Sequence, residues 1–140
     1  MVCSLLLLYI THLKTAIAPA QISYVETHGT GTSLGDPIEV KSLKAVLMKG
    51  REPNQPCWIG SVKTNIGHLE AAAGIAGLIK VVLSLQHREI PPHLHLKQLN
   101  PYISLQGTTL SIPTERQSWT AATECRLAGV SAFSFGGLKG

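Results

Sequence analysis

Apolar and polar residues change their period several times along this 140-residue chain, and each change marks an element. Leu5, Leu8, Tyr9, His12, Leu13 and Ile17 recur at helical spacing, which predicts a core-facing helix within residues 1–20. After Pro19 the apolar positions Ile22, Tyr24 and Val25 alternate, so residues 21–27 read as a strand running into a glycine-rich turn. A helix follows. Asp36 suits its cap, Pro37 its first position and Glu39 the reciprocal acid of a capping box. Val40, Leu43, Val46 and Leu47 form its apolar face, and Gly50 with Pro53 ends it. Trp58, Ile59 and Val62 mark the next strand. Residues 69–86 are apolar nearly all round, which predicts a helix buried between layers, with Leu78, Ile79, Val82 and Leu83 filling a core. Gly74 and Gly77 each cost that helix about 1 kcal/mol relative to alanine, so with Ala71, Ala72, Ala73 and Ala76 they are expected to admit a close neighbour. Pro91 and Pro92 stop it. Residues 109–112 and 126–134 read as the last strands, joined by a polar loop that contains Trp119. Strands alternating with helices predict an α/β fold, a mixed sheet covered by the two main helices.

Composition narrows the function. A chain of this length is one domain and can bury a core of its own. Charged residues make up 14% of it, against about 25% in a typical soluble domain, so much of its surface is expected to meet a partner. The net charge of +4 attracts an acidic partner at long range, but beyond Lys41, Lys44, Lys49 and Arg51 the basic residues are scattered. Nucleic acid is not an expected partner, for there is no arginine-rich run, zinc-finger spacing or aromatic-and-basic pattern. Cys3, Cys57 and Cys125 are odd in number and far apart, which predicts no disulfide framework and a reducing cytoplasmic setting. Cys57 sits in an apolar strand run and reads as packing. The apolar run at Leu5 to Ile10 is too short to span a membrane, and no basic residue precedes it as in a secretory signal.

Two short strings carry the chemistry, HGTGT at His28 to Thr32 and VKTNIGH at Val62 to His68. His28 is expected at the carboxyl end of a strand, where open α/β sheets place reactive groups and glycines let the backbone approach a ligand. The lysine of a nucleotide phosphate loop is absent from that turn. His68 is expected at the N-terminus of the long helix, whose positive end disfavours imidazolium and favours a neutral hydrogen-bond donor. Asp36 and Glu39 read as structural, since capping accounts for both. His93 and His95 have no acid or cysteine beside them, so no metal site is expected.

Taken in order, and with IPPHLH at Ile90 to His95 and GVSAFSFGG at Gly129 to Gly137, these strings resemble the C-terminal half of a β-ketoacyl synthase. The closest resemblance is to the ketosynthase domain of modular type I polyketide synthases, over roughly residues 18–137. It implies the C-terminal half of a thiolase-like layered fold, with residues 21–140 as that domain. There Leu138, Lys139 and Gly140 replace the family's Thr-Asn-Ala-His, which stops the match before the end of the last strand. Residues 1–20 are then a helix before the histidine strand, or a start unrelated to the family.

The resemblance also assigns roles. His28 and His68 fall on the family's catalytic histidines and Lys63 on its lysine. Thr30 and Thr32 match the threonines that hydrogen-bond the phosphopantetheine arm of an acyl carrier protein; Phe135 matches a gating aromatic and Gly136 its glycine-rich loop. The implied reaction is decarboxylative condensation of acyl and malonyl-type thioesters in polyketide or fatty acid assembly. The implied partners are a cysteine-bearing N-terminal ketosynthase half, the carrier protein and, in the full domain, a second copy. No cofactor is implied for this chain. None of its cysteines matches the family's nucleophile, so alone it lacks a thioester acceptor. A noncatalytic scaffold or a decayed remnant is the alternative reading.

Overall fold

The computed structural model describes residues 17–120 and 125–133. The expected helix in residues 1–20 falls almost wholly outside them, as do Cys3, Phe135 and Gly136. In chain order the elements are β1 (Ile22–Glu26), α1 (Gly35–Leu47), β2 (Cys57–Gly60), the single-turn α2 (Lys63–Ile66), α3 (Ala73–His87), β3 (Glu89–Ile90), β4 (Leu110–Ser111), β5 (Gln117–Ser118) and β6 (Leu127–Val130).

Four strands form one sheet in the order β4-β2-β1-β6, and every pairing in it is parallel. Parallel neighbours need crossovers that cover the sheet, and the two long helices provide them on opposite faces. On one face Val40, Leu43 and Leu47 of α1 pack on Val25, Cys57, Ile59 and Leu110. On the other, Val81 of α3 packs with Tyr24, Ile90 and Trp119. The α/β reading holds; parallel and antiparallel pairing both occur, but in two sheets, the antiparallel one being a separate two-stranded ribbon of β3 with β5. That ribbon arises in what reads as a polar loop: Trp119 leaves it to become 3% exposed, edge-on to Tyr24 at 5.6 Å, with its Nε1–H donated to Ser23 Oγ at 2.8 Å.

Three local expectations are corrected. The helix after the glycine turn begins at Gly35, two residues earlier than a capping Asp36 requires; Leu34 holds the cap position without a side-chain bond, and Thr32 Oγ1 accepts the Gly35 N–H at 3.0 Å. Asp36 and Glu39 turn back onto the loop before the helix. The long helix expected over residues 69–86 begins later as α-helix, at Ala73: a 3-10 turn at Glu70–Ala72 precedes α3, and the single-turn α2 lies before that. Finally, α3 buries only a narrow stripe of Ala73, Gly77, Val81 and Ser84. Leu78, Ile79, Val82 and Leu83 do not fill a core in this chain, and with Ile75 they are between 44 and 55% exposed. An apolar face of that extent is what a surface meant for a partner looks like.

Candidate active site

Strand β1 is central, with β2 on one side and β6 on the other. The chain leaves β1 toward β2 and returns much later to its opposite edge, a reversal of direction whose carboxyl-end side is where such folds place their ligands. His28 lies two residues beyond β1, and Phe133 three residues beyond β6. Their rings meet edge to face with centroids 5.2 Å apart. His68 approaches from the turn after β2, and its ring stands perpendicular to that of His28 at 5.4 Å between centroids, with an interplanar angle of 89°.

Each imidazole is oriented by a backbone amide. The Phe133 N–H is directed at His28 Nδ1 at 3.4 Å, and the Glu70 N–H donates to His68 Nδ1 at 2.8 Å. A nitrogen that accepts a hydrogen bond carries no proton, so in each ring Nε2 is the N–H of the neutral form. Burial holds His28 below its ordinary titration range, and the Lys63 and His68 charges push in the same direction. The expectation of His68 at the start of the long helix is replaced by this local device. Leu69, with φ of −90° and ψ of 20°, turns the Glu70 N–H back toward the ring, and Glu70 itself takes a left-handed backbone with φ of 48°, which costs a non-glycine residue about 1 kcal/mol.

The HGTGT loop is held by the two acids of α1. Glu39, 6% exposed, accepts the His28 N–H at 2.8 Å and the Gly29 N–H at 3.0 Å, one on each oxygen, and Asp36 accepts the Gly31 N–H at 3.2 Å. The sequence predicts structural roles for both acids, though as helix caps rather than loop clamps. Gly29 is required on two counts. Its φ is 47°, and a Cβ there would stand 2.7 Å from Thr27 Oγ1 and 2.9 Å from Ser61 Cβ.

Beside this loop lies a cavity of about 690 Å³, walled by Thr30, Gly31, Lys63, Thr64, His93 and Asn100 among others. The two rings stand outside it. Thr30 and Lys63 thus face the cavity, while Thr32 is exposed and occupied with Gly35. The structure therefore brings His28, His68, Lys63 and Thr30 around one strand end. His93 contributes a buried Nδ1 without a partner, and burial followed by the Lys80 charge lowers its titration range. No group of three or more metal-binding side chains occurs among the described residues, and none of the described helices is long and apolar enough to cross a membrane.

Sequence reasoning overlooked the polar cluster directly beneath this site. Glu26, 1% exposed, ends β1 with its carboxylate 3.0 Å from Lys80 Nζ and accepts the Tyr24 hydroxyl at 2.6 Å. Burial raises the Tyr24 phenol far above its usual range, and the neighbouring Glu26 charge adds to it. The available signal was a charged residue inside an apolar run on each element, Glu26 after Tyr24-Val25 and Lys80 after Leu78-Ile79.

Residues 10–97 match the sequence profile of the β-ketoacyl synthase C-terminal domain. One of the phenolphthiocerol/phthiocerol polyketide synthase polypeptides of Mycobacterium tuberculosis is 48% identical over 128 residues, which cover 91% of this chain and 7% of that protein. Another polypeptide of the same synthase is 53% identical over 129 residues, again 91% and 7%. Among solved structures, the ketosynthase from module 1 of the bacillaene synthase of Bacillus amyloliquefaciens superposes with a TM-score of 0.83 at 45% identity, covering 90% of this chain and 23% of that one. The oxazolomycin ketosynthase domain seven of Streptomyces albus superposes with a TM-score of 0.82 at 40% identity, covering 91% and 22%.

Proposed function

This chain belongs to the β-ketoacyl synthase C-terminal domain family, with the thiolase-like fold of polyketide synthase ketosynthases, and we propose that it supplies the histidine half of a condensing active site. It spans less than a tenth of the curated synthases it matches, so the whole enzyme's activity is part of this proposal.

One observation carries it: two imidazoles set edge to face, each accepting a backbone N–H on Nδ1, which leaves both Nε2–H groups as donors. Such a pair suits a thioester carbonyl that becomes an enolate. As a malonyl-type thioester loses carbon dioxide, negative charge develops on the carbonyl oxygen, and two neutral donors stabilise it without surrendering a proton. The enolate carbon then attacks an acyl thioester on cysteine, forming the carbon–carbon bond and releasing the cysteine thiolate. Lys63 holds a positive charge beside His28, which disfavours imidazolium and keeps that ring a donor. Thr30 and Thr32 hydrogen-bond the phosphopantetheine arm of the carrier protein; Phe135 and Gly136 gate its entry.

The acceptor cysteine comes from a partner half of the ketosynthase. Cys57 is unsuited to the part because burial pushes its thiol up to about 11 and it packs beneath α1. The bare apolar face of α3 supports a covering partner of this kind, and the chain alone is then inactive in condensation. We further assign it to the cytoplasm, acting within a dimer of complete domains.

Co-expression with a cysteine-bearing ketosynthase half and a malonyl-loaded carrier protein tests this. The expected result is condensation that His28→Ala or His68→Ala lowers at least 100-fold, the scale known for removal of one well-placed oxyanion donor. Undiminished activity in both variants refutes the assignment.

A further inference from the structure

Glu26 joins three strand ends at once. Its backbone carbonyl accepts the Ser131 N–H at 2.8 Å, which ties β1 to the exit of β6 where Phe133 lies. Its carboxylate reaches Lys80 Nζ at 3.0 Å and the Tyr24 hydroxyl at 2.6 Å, and it accepts the N–H of Val62 on Oε1. Val62 is the residue immediately before Lys63, at the root of the arm that carries Lys63 and His68. The next residues along β1 lead to His28.

The fold makes room for this charge. A Cβ on Gly77 would stand 3.1 Å from Glu26 Cγ, and one on Gly60 would stand 3.1 Å from the Tyr24 hydroxyl and 3.5 Å from Lys80 Nζ. A glycine inside α3, unfavourable to helix formation, is therefore matched to a carboxylate inside the sheet layer. A buried ion pair is a poor source of net stability, since desolvation offsets its attraction, and its value in attested systems lies in fixing one arrangement over others. Here the arrangement it fixes is that of the Val62 amide.

On the reading that His28 and His68 act together, we infer that Glu26 is a positioning residue. Its carboxylate holds the Val62 N–H and so sets the His68 arm against His28, while Lys80 and Tyr24 neutralise and orient that carboxylate. It touches no reacting atom.

The test is the nuclear Overhauser contact between the His28 and His68 rings in the full 140-residue chain, read together with the imidazole nitrogen shifts that report the tautomer. Glu26→Gln with Lys80→Met keeps an acceptor for Val62 and removes both charges; the ring contact should survive at wild-type intensity. Glu26→Leu with Lys80→Met is apolar and electroneutral but offers no acceptor; the contact should fall at least fivefold in protein whose dispersed spectrum shows it folded. Val62→Pro removes only the donor at a residue whose φ of −61° already suits proline, and it should produce the same loss without disturbing the ion pair. Wild-type ring contact in folded Val62→Pro, or in folded Glu26→Leu/Lys80→Met, overturns the inference. So does a loss in the Gln/Met pair equal to that in the Leu/Met pair, because the acceptor would then be irrelevant. None of these readings needs the cysteine half, so an inactive complemented enzyme sinks the proposed function and leaves this measurement standing.

Discussion

Two glycines in α3 make opposite predictions when each is changed to alanine. By helix propensity alone both substitutions stabilise, by up to about 1 kcal/mol. Their surroundings separate them. A Cβ on Gly74 meets only the Ala132 Cβ at 3.4 Å, an ordinary contact, so Gly74→Ala should gain most of that amount. A Cβ on Gly77 meets Glu26 Cγ at 3.1 Å, and Glu26 cannot withdraw without disturbing Lys80, Tyr24 and Val62. Overpacking of this kind costs about 1–3 kcal/mol, so Gly77→Ala should show a net loss of about 1 kcal/mol and lie roughly 2 kcal/mol below Gly74→Ala. Urea unfolding followed by circular dichroism resolves such a gap, as a midpoint difference on the order of 1 M. If Gly77→Ala proves as stabilising as Gly74→Ala, the carboxylate is not pinned and the account of why a glycine stands there is wrong.

Other perturbations follow from the same structure. His28 and His93 both titrate below their ordinary range, so the unfolded chain binds more protons than the folded one across that interval; stability should be full above the unfolded value near 6.5 and decline as pH falls through the folded values. Unfolding midpoints measured from pH 7.5 down to 5 check this, and His28→Gln should flatten part of the slope. Arg51 donates to the carbonyls of Leu47, Gln55, Pro19 and Ile22, tying the end of α1 to the start of β1. Arg51→Met should therefore cost about 2 kcal/mol by urea unfolding, and Arg51→Lys should recover little of it because one ammonium cannot span that fork. Cys57 should resist iodoacetamide at pH 7 in the folded chain and react only on unfolding, whereas exposed Cys125 is alkylated first; peptide mass mapping distinguishes them.

How far the fold was legible depended on whether the signal was local. Alternation in Ile22, Tyr24 and Val25, and the apolar face from Val40 to Leu47, reported β1 and α1 because each pattern is complete within one element. The ribbon of β3 and β5 was not legible, since two-residue strands carry no period and Trp119 is buried by partners distant in sequence. For α3 the apolar run gave the right element and misplaced its environment: a sequence cannot say whether the second layer over Leu78, Ile79, Val82 and Leu83 lies in the same chain. At the site, His28 and its glycine turn were legible from the strand that aims them. The orientation of His68 was not, because it depends on the backbone turn at Leu69 that brings the Glu70 N–H to the ring, and neither residue's chemistry advertises that conformation. Glu26 and Lys80 were overlooked because a buried pair leaves only two isolated charges in apolar runs, each indistinguishable from a surface residue until the other is found.

The position of β1 has a consequence for how the molecule is made. Its second neighbour emerges late: the Phe133 amide that orients His28 lies 105 residues downstream, which at roughly 5–20 residues per second means a delay of some 5–20 s at the ribosome. Through that interval the central strand has one edge unpaired, open to register with any other nascent strand. Slow, long-range closure of this sort makes the site one of the last features to assemble.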